Sequence, residues 1–396
     1  MIYLAIFLGI FFGIITGLTP GIHINLISLL LISSSSYLLG YFSLLSLSCF
    51  IVAMSVTHTF LDSIPSIYLG APDSDTCLGV LPGHRYLMNG LGYMAVKLTV
   101  IGSFFGLLLS IILFPVLIYV VKFVYPVIKG LIGYILIIVV LFMIFRDKKK
   151  IWALTVFLIS GFFGFMVLNT YNVVNPLFPL LSGLFGVSTL LFSLNDKVNI
   201  PKQRIESKID IKKRHAFKAI CSSTFAGFLT SMFPGLGGAQ GAVIAMQFAR
   251  NIGDHGFMIL MGGINTVNFV LSLVTLLVLG KARNGAVIAV QELIPEVSMN
   301  HIIVFVLVAL IAGSIASILA LVFARCFSKL ITKVNYRMLV LLIVGFIVVL
   351  TYPLSGWMGL LILFTSTFLG FIPAIVKCSR THAMGCLLLP VISYFI

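Results

Sequence analysis

No charged side chain occurs between Met1 and Leu61; the first is Asp62. A soluble fold cannot be built from such a stretch, because polar groups must cover part of any core that faces water. The rest of the 396-residue chain continues the pattern, with 60% hydrophobic and 9% charged residues where ordinary globular chains carry about 25% charged. The chain is therefore expected to live in a bilayer and to span it many times. Apolar runs fall at 2–18, 22–32, 38–57, 95–119, 131–145, 151–168 and 176–194, and after a polar interval at 216–233, 238–249, 257–279, 301–324, 338–352, 355–372 and 383–396. The expected fold is an all-α polytopic membrane protein with roughly 10–14 helical segments. Several runs are shorter than the ~20 residues that cross the hydrocarbon. Those at 2–32 and 216–249, interrupted by Pro and Gly, read as broken or re-entrant helices. Such breaks are tolerated at membrane depth only where protein or a water-filled cavity covers the exposed backbone.

The 25 Lys and Arg against 10 Asp and Glu give a net charge of +15. In a membrane chain this excess belongs to loops on the cytoplasmic side of the plasma membrane, not to nucleic-acid binding. One cluster is Arg146-Asp147-Lys148-Lys149-Lys150, and a second fills the loop 201–215 with its flank from 195. A third comprises Arg325, Lys329, Lys333 and Arg337, and a fourth Lys377 and Arg380. An even number of spans separates the first pair of clusters, and likewise the last pair, so all four can face the cytoplasm, with 122–130 outside. The six cysteines are scattered without a CxxC pair or a Cys/His cluster, so neither a disulfide framework nor a metal site is expected. The apolar N-terminus lacks a basic n-region and reads as a mature membrane segment.

The chain resembles itself. Gly13, Thr16, Pro20 and Gly21 align with Gly227, Thr230, Pro234 and Gly235, and Leu69-Gly70 with Leu279-Gly280, each followed by a polar turn and a long apolar run. The first repeat is expected over 1–200, with a core at 1–128 and three further spans at 131–194. The second is expected over 216–396, with a core at 216–325 and three further spans at 338–396. Three is odd, so the first core ends outside and the second inside. Inverted repeats with discontinuous helices are a recurring plan of secondary transporters, whose substrate sits near the midplane.

The breaks are where chemistry is expected. At Thr19-Pro20-Gly21, proline removes an amide hydrogen and glycine permits positive φ, so a new half-helix begins whose free N–H groups carry about half a positive charge and suit an anion. His23 and Asn25 can add donors; the competing reading is a plain kink. The second half offers Pro234, Gly235, Gly237, Gly238 and Gln240, with Asn265 and Asn268 nearby at membrane depth. Such asparagines also serve as ordinary interhelical hydrogen-bond formers. His58 and Asp62, four apart on one helix face, form an ionisable pair in an apolar run, which is a functional hypothesis by default. With Asp73, Asp75 and Thr76 in the following turn, they are candidates for a coupling ion, Na+ or H+; no other cofactor is expected. No GxSxG, HExxH, P-loop or dinucleotide fingerprint occurs, so an enzyme is not expected.

At Gly17-Leu-Thr-Pro20-Gly21, at Ile67-Tyr-Leu-Gly70-Ala-Pro72-Asp-Ser-Asp-Thr76, at Leu81-Pro-Gly83-His-Arg85-Tyr-Leu-Met-Asn-Gly90 and across Asn265–Gly285, the sequence resembles the TctA-type family, the large membrane subunit of tripartite tricarboxylate transporters, in a short archaeal-like branch. The His/Arg-containing turn departs from the family's usual Asp-Gly-Tyr. The resemblance implies partnership with a small membrane subunit and an extracytoplasmic binding protein. The run from Pro234 to Gly238 is also similar to the Pro-Gly-x-x-Gly-Gly of undecaprenyl-phosphate translocases. The leading expectation is an ion-driven carrier of a small organic anion such as a carboxylate; the alternative is a translocase for a lipid-linked phosphate. Partners are then the anion and the bilayer, with a homodimer left open.

Overall fold

The computed structural model describes residues 1–19, 24–33, 35–70, 77–170, 173, 176–194, 201–205, 209–232, 237–282, 284–331 and 336–396. Among these residues there is no strand, and the all-α expectation holds. The first half contains α1 (Ile2–Leu18), α2 (Ile24–Ser33), α3 (Ser35–Leu38), α4 (Leu44–Leu61), α5 (Ser63–Tyr68), α6 (Val80–Met88) and α7 (Gly92–Ile128). Then come α8 (Ile132–Arg146), α9 (Lys150–Leu168), α10 (Leu177–Leu181) and α11 (Ser188–Ser193), the last two joined by a π turn at Ser182–Val187. The second half contains α12 (Lys213–Met232), α13 (Gly238–Phe248), α14 (Gly253–Leu279), α15 (Gly285–Leu293), α16 (Met299–Ile331), α17 (Tyr336–Val376) and α18 (Gly385–Phe395).

Six helices among the described residues are long and apolar enough to cross a membrane, and they differ in what surrounds them. The α4–α5 span is 83% buried inside the protein and α14 94%, whereas α7, α9, α16 and α17 are 33–39% buried. The first two are thus the central helices. The others expose large apolar side chains such as Ile112, Ile318 and Phe364, which is how a lipid-facing surface must look.

Glycines set how closely these helices approach. Gly9, Gly13 and Gly17 of α1 lie against the backbone of α4 at Phe50, Met54 and His58, so that a Cβ at Gly9 would stand 2.5 Å from the Phe50 carbonyl oxygen. Small residues every fourth position are the usual way helices pack in lipid, where no hydrophobic force drives them together. Residue numbers rise together along this contact, so α1 and α4 run parallel. The α12–α14 contact behaves alike, with Ser223 at Gly263 and Gly227 at Val267. Helices α7 and α14 are also parallel, pairing Thr99 with Gly262 and Gly106 with Val267. So are α4 and α16, pairing Phe60 with Gly313 and Tyr68 with Ala324. By contrast α4 crosses α14 with opposite sense (Thr59 at Thr266, Asp62 at Asn265). Helix α7 crosses α16 likewise, with Leu107 at Gly313 and Tyr93 at Arg325.

The basic loops converge on one face. Lys149 Nζ donates to the Val376 carbonyl at 2.8 Å, His382 Nε2 meets Asp147 at 2.9 Å, and Arg325 Nε donates to Tyr93 Oη at 3.2 Å. Gln203 is buried there, its Nε2 donating to the Leu87 carbonyl and its Oε1 accepting from the Gly92 amide. The positive-inside rule makes this the cytoplasmic face, and the parallel run of α1 with α4 puts the start of α1 on the opposite one.

Two features differ from the sequence reading. The span read at 38–57 lies at Leu44–Leu61 and continues through α5, because hydroxyl residues inside a protein-surrounded helix lower its apparent hydropathy without exposing it. Short helices α6 and α15 stand ahead of the long helices α7 and α16, where none was expected; Gly70 and Gly280 are left-handed, at φ 63° and 59°, a conformation glycine adopts without steric cost. The two runs at 338–352 and 355–372 lie in α17, in which two helices meet at a kink at Gly356 (φ 66°, ψ −165°).

Candidate functional site

Polar side chains inside the bundle collect where α4 crosses α14. Helix α4 ends at Leu61 and α5 begins at Ser63, with Asp62 between them at φ −59° and ψ −24°. Pro65 explains part of this break: it has no N–H to offer the carbonyl four residues back, at Leu61. Asp62 is buried, at 4% exposure. It is the only acidic residue among those described that is so enclosed; Asp210, Asp254, Glu292 and Glu296 are exposed and Asp147 is half-buried. The Asn265 Nδ2 group donates to Asp62 Oδ2 at 2.6 Å. Thr59 and Thr266 exchange a hydrogen bond at 3.0 Å beside it, and Thr99 Oγ1 donates to Ser63 Oγ at 3.1 Å.

Thr59, Asp62, Ser63, Thr99 and Asn265 line a void of about 20 Å³ bounded also by Ser66, Ile67, Gly79, Met258, Met261 and Gly262. One probe sphere needs about 10–15 Å³, so the void admits a water or a bare monovalent cation and excludes a carboxylate substrate. Its position is central: Asn265 and Thr266 stand midway along the 27-residue α14, about 40 Å long at 1.5 Å per residue.

One turn earlier on α4, His58 is 2% exposed and its Nδ1 lies 3.1 Å from Thr16 Oγ1. His58 is thereby tied to α1 and Asp62 to α14, linked through the hydrogen bond from the Asp62 amide to the His58 carbonyl at 2.9 Å. Thr16 stands three residues before Thr19, the half-buried C-cap of α1, whose amide donates to the Ile15 carbonyl at 3.0 Å. In the second half, Gly237 is the extended N-cap of α13, Gly238 its first residue, and the Gln240 side-chain oxygen accepts from the Gly237 amide at 3.0 Å. Gln240 therefore caps its own helix. Asn268, one turn from Asn265, is buried at 7% exposure. Pro20, Gly21, His23, Pro234, Gly235, Asp73, Asp75 and Thr76 lie outside the described residues, as does the side chain of Asn25.

Of the expected residues the structure thus joins Asp62 with Asn265 and His58 with Thr16. The hydroxyls of Thr59, Ser63, Ser66, Thr99 and Thr266 escaped the sequence reading. Nothing local marks them, since hydroxyls in apolar helices commonly bond only to their own backbone, as Ser110 does to Gly106.

The sequence matches the family described as Tripartite tricarboxylate transporter TctA family over residues 3–385. It is 31% identical over 389 residues to an uncharacterized protein of Methanocaldococcus jannaschii, covering 95% of this chain and 94% of that one. No solved structure matches.

Proposed function

The chain belongs to the tripartite tricarboxylate transporter TctA family, and we propose from that premise that it is a secondary carrier of a small organic anion of carboxylate type, driven by a cation gradient. Membership makes the protein a membrane transporter component; the substrate class and the coupling are the proposed part. Family members work in tripartite systems with a small membrane subunit and an extracytoplasmic binding protein, and we assign this chain the same partners.

The observation that carries the coupling is the void at Asp62. A buried carboxylate at membrane depth is costly and is kept for a reason. The residues around it include Thr59, Ser63, Ser66 and Thr99, whose hydroxyl oxygens are hard donors of the kind that hold small cations. The substrate is assigned to the two Pro-Gly breaks, Thr19–Asn25 and Pro234–Gln240. Support comes from α13, which begins at Gly238 directly after the second Pro-Gly motif of the sequence, with the Gln240 side chain accepting from the Gly237 amide; a helix N-terminus carries a partial positive charge that suits an anion.

Two inverted units are the proposed frame. Supporting this, the packing survives exchange of the halves: α1 with α4 corresponds to α12 with α14, and α4 with α16 to α14 with α7. Corresponding helices that meet each other, α4 with α14 and α7 with α16, run in opposite senses, as an axis lying in the membrane plane requires.

Proteoliposomes containing the purified chain, assayed for labelled citrate uptake under an imposed Na+ or pH gradient, test the reading. One gradient is expected to stimulate uptake, and Asp62→Asn to remove that stimulation. Absence of stimulated uptake, together with saturable binding of a polyprenyl phosphate, would replace the carrier with the lipid-phosphate translocase.

A further inference from the structure

A second and larger cavity, of about 510 Å³, opens on the cytoplasmic face, within the ≈ 300–1,000 Å³ range of small-molecule sites. Segments far apart in sequence build it: the 3₁₀ turn Cys77–Gly79, the end of α8, the α13–α14 corner at Met246–Phe257 and the turn Ser379–His382. Three arginines line it, Arg146, Arg250 and Arg380. Among the described residues none of the three has a carboxylate at ion-pair distance. Arg380 is half-buried, donates to Thr189 Oγ1, and has its pKa lowered by burial, yet a guanidinium stays charged. Arg250 lies 5.6 Å over the Phe142 ring, a contact that orients the guanidinium without neutralising it.

The two aspartates on the wall are engaged elsewhere. Asp147 accepts from the amides of Lys149 and Ser379 and from His382, while Asp254 faces Arg85 at 3.9 Å. His382 is 1% exposed, and among the described residues its Nδ1 has no hydrogen-bond partner. The N-terminus of α14 reaches the cavity at Asn251–Asp254 without a side-chain cap, adding N–H groups and a partial positive charge. A buried ring nitrogen without a partner and guanidinium groups without a carboxylate together mark a place where a ligand completes the hydrogen bonding.

We infer that this cavity is a cytoplasmic binding site for a small multivalent oxyanion, held by Arg380, Arg250 and Arg146. It lies next to the Asp62 void, because Leu78 and Phe257 line the cavity while their neighbours Gly79 and Met258 line the void. One 3₁₀ turn and one turn of α14 thus separate the anion site from the buried carboxylate. An anion leaving the midplane toward the cytoplasm passes this septum and meets the arginines. The identification as an exit site rests on the carrier reading; the binding itself does not.

Calorimetry on the full chain, purified in detergent and titrated with citrate and separately with inorganic phosphate, tests the site without any gradient. Citrate is expected to bind, and Arg380→Gln to raise its Kd by about tenfold or more, the loss expected for a charge-assisted contact. Arg250→Gln, at an exposed position, should weaken binding in the same direction and keeps the test valid if Arg380→Gln does not fold. Lys148→Gln, equally basic but off the cavity wall, should leave the Kd unchanged. Repeating the titration in nanodiscs with and without phosphatidylglycerol separates the sources: a headgroup occupant makes citrate binding fall as phosphatidylglycerol rises, and a soluble anion does not. Citrate and phosphate binding that is absent, or indifferent to both arginine variants, overturns the inference. Such a failure would leave the carrier reading to its uptake assay.

Discussion

Gly262→Ala tests how strictly the Asp62 site depends on the approach of α7 to α14. A Cβ at Gly262 would stand 2.1 Å from the Thr99 carbonyl oxygen and 2.7 Å from both its carbonyl carbon and its Cα. All three are backbone atoms, so no rotamer change relieves the clash. With ordinary C···O contact at about 3.3 Å, the helices must part by about 1.2 Å. Overpacking of this kind costs about 1–3 kcal/mol, toward the upper end where only backbone can yield. Loss of the Ser103 hydrogen bond to the Gly262 carbonyl, now 2.9 Å, adds about 0.6 kcal/mol. Alanine's better helix propensity offsets about 1 kcal/mol, leaving a net loss of about 2–3 kcal/mol. Function should suffer more than stability. Gly262 and Thr99 both line the void and Asn265 lies one turn on, so a shift of about an ångström breaks the 2.6 Å contact to Asp62, a misplacement of the size that costs about 10²-fold in other positioned sites. Gly345→Ala is the control, because nothing lies within 4 Å of its added methyl. Unfolding in detergent monitored by circular dichroism, with gradient-driven citrate uptake on the same preparations, gives both readouts. A Gly262→Ala protein as stable and as active as Gly345→Ala would refute the reasoning.

Tyr68→Phe removes a hydroxyl that is 2.6 Å from Ser328 Oγ and 3.2 Å from the Ala324 carbonyl; thermal unfolding should show a loss of about 1–2 kcal/mol, with exposed Tyr394→Phe within about 0.5 kcal/mol of wild type. Gly280→Ala, at φ 59° with open space around it, isolates backbone strain and should cost about 1–2 kcal/mol in the same assay. Burial pushes the Asp147 carboxyl upward, but hydrogen bonds from the Lys149 amide, His382 and the Ser379 amide and the charge of His382 outweigh it and hold the pKa below the usual aspartate value. A lowered folded-state pKa stabilises the fold above the unfolded value of about 3.9 and ceases to do so as pH falls through the folded one. Wild type should therefore exceed Asp147→Asn in stability above about pH 4 and converge with it below, in a pH series of melting temperatures.

Much of this protein is written locally. Hydrophobic runs disclose membrane helices because each span must satisfy its own backbone hydrogen bonds and present apolar side chains over its own length. Basic loops disclose their side of the membrane in the same local way, and contacts such as Lys149 with Val376 gather them where the charge pattern puts them. Asp62 stood out because a carboxylate in an apolar run is conspicuous wherever it points. What surrounds Asp62 was not legible: Thr59, Thr99 and Asn265 come from three helices, and each looks like an ordinary polar residue in its own segment. Arg146 and Arg380 were visible only as loop charges and Arg250 drew no notice, so that one cavity wall was not legible. Which helix is central, which face the start of α1 occupies and where three arginines meet depend on packing between residues far apart in the chain, such as Tyr68 and Ser328 or Arg146 and Arg380. Burial and charge are properties of a residue, so a sequence displays them. A site is a property of distances between residues, and only the folded bundle sets those.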